Sequence, residues 1–199
     1  MRIILASASP RRQELLKFLK APFEIINADF DESSLARGRS VREFAIEAAK
    51  CKAEAVSKIV PDGVIIAADT VVFLGKTIFG KPKDAADAFK MLKTLSGKTH
   101  CVTTGLCVLL QENGRTAKRI LDAPVTEVTF RELSDDIIDR YLETGEPFDK
   151  AGAYGVQGYG ALLVAAVYGC YYNVVGLPLP RLVEHLNSIG MPLWANNRI

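Results

Sequence analysis

Arg2-Ile3-Ile4-Leu5-Ala6-Ser7-Ala8-Ser9-Pro10-Arg11-Arg12 opens the chain, and its reading decides the fold class. Ile3–Ala6 is a short apolar run that suits a buried strand. Ser9-Pro10 then supplies an N-cap and a first-turn proline, leading into a helix over 11–19 with Leu15, Leu16 and Leu19 at helical spacing. The same alternation continues outward. Strands are expected over Phe23–Asn27 and Val64–Phe73, and helices over Ser40–Val60 and Asp84–Leu95. Val41, Ala45, Ala48, Ala49 and Ala53 give the long helix a small-residue face, and Gly97 supplies the stop after the next one. Two β-branched runs, Thr99–Leu110 and Thr116–Phe130, flank Glu112-Asn113-Gly114-Arg115, which reads as a hairpin turn. An acidic helix over Ser134–Thr144, strands over Ala161–Val167 and Tyr171–Val175, and a last helix over Pro178–Ile189 complete a mixed α/β pattern. No repeat, linker or shift in composition marks a boundary, so one α/β domain with two lobes is expected.

Composition narrows the function classes. The 199 residues are 49% apolar, and 25 basic against 23 acidic side chains leave a formal charge of +2. That near balance argues against an indiscriminate polyanion binder, so no nucleic-acid partner is expected. The longest apolar stretch, 64–74, is interrupted by Asp69 and is far short of the ~20 residues a membrane helix needs. No signal peptide can be drawn, and Cys51, Cys101, Cys107 and Cys170 form no CxxC pair, so reduced thiols in a cytoplasmic protein are expected. The balance is nonetheless a cancellation. Residues 1–20 carry five cations against Glu14, whereas 132–149 carry seven acids against Arg140.

Four islands are disfavoured by local physics unless something compensates. Arg11 and Arg12 oppose the dipole of their own helix, at about 0.3–1 kcal/mol each, and an anion bound there would reverse the sign. The bland alternative is a capped surface helix whose arginines meet carboxylates elsewhere. Asp69 stands inside Val64–Phe73, where a carboxylate is costly to bury unless paired or metal-bound; otherwise it marks a bulge or a solvated strand end. Phe79-Gly80-Lys81-Pro82 presents a lysine on a stiff turn, although such turns are commonly only turns. Gly145–Gly158 holds four glycines and Gln157, which suits a loop that packs backbone against a ligand with an amide able to read a donor/acceptor edge. Lys50 and Lys52 read by themselves as a solvated helix face, and Asp29–Glu32 as an acidic loop.

Together, LASASPRR (5–12), DESS (31–34), the KA of AAKCKA (48–53), AADTVV (67–72), GKP (80–82), SGKTH (96–100), VTTG (102–105), GEPFDKAGAYGVQG (145–158) and YYNVVGLPLPRL (171–182) resemble the Maf-like nucleoside triphosphate pyrophosphatases. The resemblance covers roughly residues 1–190 and leaves 191–199 as a tail. It implies the fold shared with inosine-triphosphate pyrophosphatases: a twisted mixed sheet flanked by helices, with two lobes around a nucleotide cleft. It also implies hydrolysis of a nucleoside triphosphate to the monophosphate and pyrophosphate, with a divalent cation (Mg2+ or Mn2+), and a homodimer. Carried over by position, Asp69 matches the general base, and Arg12, Thr70 and Gln157 match the base-selecting positions. Ser7, Arg11, Glu32, Lys52 and Lys81 match the phosphate and metal neighbourhood, with Glu32 and Asp69 as metal ligands. Thr70 and AGAYGVQG look like the branch acting on dTTP and UTP, with modified pyrimidine nucleotides as a further substrate class. Residues 35–44 (LARGRSVREF) depart from the pattern, being basic where relatives tend to carry acids and a proline.

The chemistry agrees with that resemblance. A triphosphate's charge repels an incoming water, so cations must neutralise it before attack at the α-phosphorus. Arg11, Arg12, Lys52 and Lys81 could supply that field while Asp69 accepts the water's proton. The rival expectation is a nucleotide-binding regulator of cell division and septum formation, with little turnover.

Overall fold

The computed structural model describes residues 1–28 and 40–193. The elements run β1 (Ile3–Leu5), α1 (Pro10–Lys17), β2 (Glu24–Ile25), α2 (Val41–Ser57), β3 (Gly63–Leu74), β4 (Thr77–Phe79), α3 (Ala85–Leu95), β5 (Thr99–Glu112), β6 (Arg115–Asp122), β7 (Val125–Phe130) and α4 (Asp135–Glu143). Three 3-10 turns at Glu146–Asp149, Ala151–Ala153 and Gly158–Leu163 follow, then β8 (Val164–Tyr168), α5 (Tyr171–Val175) and α6 (Leu179–Ser188). Hydrogen bonding orders the strands β2-β1-β3-β5-β7-β8, with β4 on β3 and β6 on β5. The sheet is mixed: β1 is parallel to β2 and β3, and the β3–β4, β5–β6, β5–β7 and β7–β8 pairs are antiparallel. No helix among the described residues is long and apolar enough to cross a membrane.

Contacts divide the chain into two compact units, and β3 and β5 each contribute to both. The first comprises Met1–Asp69, Thr104–Pro124 and Gly176–Ile199. Its core joins Ile4 and Ala6, Ile65 and Ala67, and Cys107 and Leu109 to Ala49, Ala53 and Val56 of α2. Ser40 and Glu43 close a reciprocal capping box at the start of α2, which fixes where that helix begins. Gly105 in β5 has no Cβ because α2 lies directly on it: a Cβ there would stand 2.0 Å from the Ala45 carbonyl oxygen. The small residues of α2 and the bare backbone of β5 therefore set one close helix–sheet distance. Asn113 and Gly114, at φ 53° and 73°, form the two-residue β5–β6 turn expected for an Asn-Gly pair.

The second unit comprises Thr70–Thr103 and Val125–Val175. Leu92 and Leu95 of α3, Val128 and Phe130 of β7, and Ile138 and Tyr141 of α4 pack with Tyr154 and Leu163. His100 is buried here, shares a 2.7 Å hydrogen bond with the Tyr154 hydroxyl, and meets the rings of Phe130 and Tyr154 edge-on. Burial pushes its pKa down to about 4, with the Lys98 carbonyl offsetting part of the effect.

Three expectations are corrected. Tyr171–Val175 is a short helix and not a strand, because Asn173 Nδ2 donates to the Val102 carbonyl and to Thr126 Oγ1 and turns the backbone inward. Thr116–Phe130 is two strands, β6 and β7, broken at Ala123-Pro124, since proline cannot donate to a ladder. The strand expected from Ala161 begins only at Val164, after a 3-10 turn over Gly158–Leu163. Helices α2, α3, α4 and α6 lie within the expected spans, α3 shorter at its start alone and the others at both ends. Of the expected caps, Ser134 accepts the Ile137 N–H, whereas the Ser9 side chain makes no cap bond to α1.

Two measurements test this packing. Gly105→Ala forces a methyl group into the α2 backbone and is expected to cost about 3 kcal/mol or more in urea unfolding. His100 has a folded pKa below its unfolded value, so its contribution is complete above about pH 6.5 and lost as pH falls toward 4. Between those limits the wild type should lose about 3 kcal/mol more than His100→Phe does.

Candidate active site

Asp69 is buried to 7% exposure near the middle of β3, after six residues, Val64–Ala68 and Gly63, that are all buried. Strand alternation puts Asp69 on the same face as Ile65 and Ala67, the face covered by α2. Lys52 extends the row of Ala48 by one helical turn, and its Nζ reaches Asp69 Oδ1 at 2.6 Å. Both side chains are largely withdrawn from solvent, at 15% and 10% exposure. Of the alternatives open for Asp69, the structure shows the paired one: a buried ion pair whose distance is set by the small-residue packing of α2 on the sheet. Lys50, two residues away, instead pairs with Glu47 on its own helix at 3.2 Å.

Beside this pair lies the end of β1. Leu5 pairs with Ile66, and the Ala6 N–H still donates to the Ile66 carbonyl at 2.8 Å, so Ser7 leaves the sheet alongside the stretch of β3 that ends in Asp69. The carboxyl ends of parallel strands are where open α/β sheets place ligands. Ser7 is buried, and its Oγ accepts the Ser9 N–H at 3.2 Å and the Arg12 Nη1–H at 3.3 Å. Arg12 Nε donates to the Gly176 carbonyl at 2.8 Å, which anchors the guanidinium at the start of α1. Arg11 is half-buried in the same first turn, which holds no acidic residue. Of the cations in residues 1–20, Arg2 pairs with Glu24 and Lys17 with Glu14 on exposed surface, while Arg11 and Arg12 stand in the first turn of α1.

Thr70, Lys81 and Gln157 belong to the second unit. Thr70 follows Asp69 in β3 and is half-buried. Lys81 is exposed on the turn after β4, where the Gly80 carbonyl accepts the Gly152 N–H at 3.0 Å. Gln157 is exposed, with extended backbone at φ −104° and ψ 169°. Glu32 lies outside the described residues. Sequence reasoning did not single out Tyr141 or Glu146, whose side chains meet at 3.0 Å beneath the glycine-rich loop. The available signal was an acid fixed between a glycine and a proline, Gly145-Glu146-Pro147.

All four cysteines are free thiols; burial holds Cys51 and Cys101 above the usual thiol range and pushes Cys107 up to about 12. Among the described residues no three His, Cys, Asp or Glu side chains gather as an all-protein metal cage.

Comparison with known proteins identifies the family. The Maf-like protein family matches residues 2–189. A dTTP/UTP pyrophosphatase of Clostridium beijerinckii is 47% identical over 190 residues, covering 95% of this chain and 100% of the relative. A dTTP/UTP pyrophosphatase of Clostridium botulinum is 49% identical over 189 residues, covering 94% and 99%. Among solved structures, a nucleoside-triphosphatase/dITP/XTP pyrophosphatase of Mycobacterium abscessus aligns over 98% of this chain and 100% of that one, at 13% identity and a TM-score of 0.45. With a family match over nearly its whole length and relatives near half identity, this chain belongs to the Maf-like protein family.

Proposed function

We propose that the protein hydrolyses dTTP and UTP to the nucleoside monophosphate and pyrophosphate, with residues 1–190 acting as one functional domain and 191–199 as a tail. The observation that carries this reading is the buried Lys52–Asp69 pair at the edge of the β1 carboxyl end, with Ser7 and Arg12 next to it in the fold. Lys52 Nζ orients Asp69 through the 2.6 Å contact to Oδ1, and in our reading Asp69 accepts the proton of the water that attacks the α-phosphorus. Pyrophosphate leaves as the water oxygen bonds to phosphorus. Arg11, Arg12, Lys52 and Ser7 offset the phosphate charge, and Lys81 adds a cation from its turn. We assign nucleobase choice to Arg12, Thr70 and Gln157, following the family pattern and the dTTP/UTP names of the relatives.

The donor set fits a hard divalent cation. Magnesium is commonly held by one or two carboxylates together with substrate phosphates, and not by a dedicated protein cage. Asp69 offers such a carboxylate, and the described residues contain no cage. Asp69, with Glu32 of the segment outside the described residues, would hold Mg2+ or Mn2+, which would neutralise phosphate charge when bound.

The test incubates the purified protein with each common nucleoside and deoxynucleoside triphosphate plus Mg2+ or Mn2+, and assays pyrophosphate and orthophosphate separately. Pyrophosphate from dTTP and UTP is expected, falling 10²–10⁴-fold in Asp69→Asn. Lys52→Met strands a buried carboxylate; a loss of stability of about 3–5 kcal/mol and a fall in turnover of at least tenfold are expected together. Orthophosphate as the product would overturn the reaction, and no turnover of any nucleotide would favour the regulator.

A further inference from the structure

The loop that carries Gln157 converges on one carboxylate. Gly145, left-handed at φ 72°, turns the chain after α4 and presents Glu146. Glu146 Oε1 accepts from the Tyr141 hydroxyl at 3.0 Å and the Gly160 N–H at 3.1 Å, and Oε2 accepts from the Tyr159 N–H at 2.9 Å. Tyr141 oxygen in turn accepts the Gly155 N–H at 3.3 Å. The carboxylate thus binds two successive backbone N–H groups as an anion sits in a backbone nest. These bonds are charge-assisted, and so stronger than neutral ones.

The glycines around it are required by that arrangement. A Cβ on Gly158 would stand 2.4 Å from Glu146 Oε2, and one on Gly160 would stand 2.1 Å from the Gly155 carbonyl oxygen. Gln157 lies between two fixed points, Gly155 on Tyr141 and Tyr159-Gly160 on Glu146, while its own side chain makes no cap bond. Both Glu146 oxygens are turned toward the loop.

We infer that Glu146 is a positioning residue for nucleobase selection: it fixes the 155–160 backbone so that Gln157 presents its amide in one orientation. This rests on the pyrimidine-triphosphate reading above, which gives Gln157 its task. Glu146→Gln keeps the shape but points an amide N–H2 at one of the N–H donors, so one bond must break. KM for dTTP and UTP should then rise about tenfold, kcat should change less, and discrimination against purine triphosphates should fall. Gln157→Ala should produce the same loss of discrimination, and the two changes together should cost no more than either alone. Should Glu146→Gln fold poorly, Tyr141→Phe removes one donor from the same carboxylate and should act in the same direction.

Amide hydrogen exchange on the nucleotide-free protein supplies a second readout, expected to rise at least tenfold at Tyr159 and Gly160 in Glu146→Gln. Faster exchange with wild-type nucleotide preference would overturn the inference, leaving Glu146 a purely structural group. Additive effects of the two substitutions would overturn it as well. If the wild type turns over no pyrimidine triphosphate, the functional reading fails, and the task assigned to Gln157 fails with it. In that case the exchange result still reports on the Glu146 bonds.

Discussion

Burying the Asp69 carboxylate in an apolar strand is unfavourable by several kcal/mol unless a cation is brought to it at bonding distance, and the first unit is organised to do so. The cation comes from α2, whose Lys52 reaches Asp69 from the face of the helix that packs on the sheet. Alanines at 45, 48, 49 and 53 remove the bulk from the helix side, and Gly105 removes it from the sheet side. The capping box at Ser40 and Glu43 fixes where the helix begins, so the lysine arrives at a defined height along β3. Local propensity, packing and site electrostatics thus converge on one 2.6 Å contact.

The second unit uses the opposite strategy. Its glycine-rich loop has little side-chain bulk with which to hold its own shape, and short 3-10 turns contribute little regular hydrogen bonding. Order is imposed from beneath by Glu146 and Tyr141 and from the side by the Gly152–Gly80 bond. Lys150 adds its ammonium to the Glu146 carbonyl and to Asp149 Oδ1. The acidic run of 132–149 is therefore not only a counterweight to the basic N-terminus: Glu146 is consumed internally, while Asp135 meets Lys93 on exposed surface.

How much of this could be read from the residues depends on the range of the interactions involved. Asp69 was legible because a single acid in an apolar run is a local anomaly, and Asn113-Gly114 because a two-residue turn is local chemistry. Lys52 stands one turn after Ala48 on the small-residue face and Lys50 does not, but the partner of Lys52, Asp69, lies 17 positions away, beyond any local pattern. The family resemblance singles out Lys52, and the structure pairs its Nζ with Asp69 Oδ1. Tyr171–Val175 misled because its β-branched and aromatic residues favour a strand, whereas Asn173 answers to Val102 and Thr126, 71 and 47 positions away. The Thr116–Phe130 run misled because Pro124 was outweighed by its β-branched neighbours.

The chain passes between the two units four times, at Asp69–Thr70, 103–104, 124–125 and 175–176. Neither unit is a continuous piece of gene, so no truncation or single proteolytic cut can deliver one without the other. The two apolar cores nevertheless have no residue in common, so a substitution within one does not remove a packing member of the other. Such a chain inherits its two cores as one indivisible locus, yet leaves each open to substitution on its own schedule.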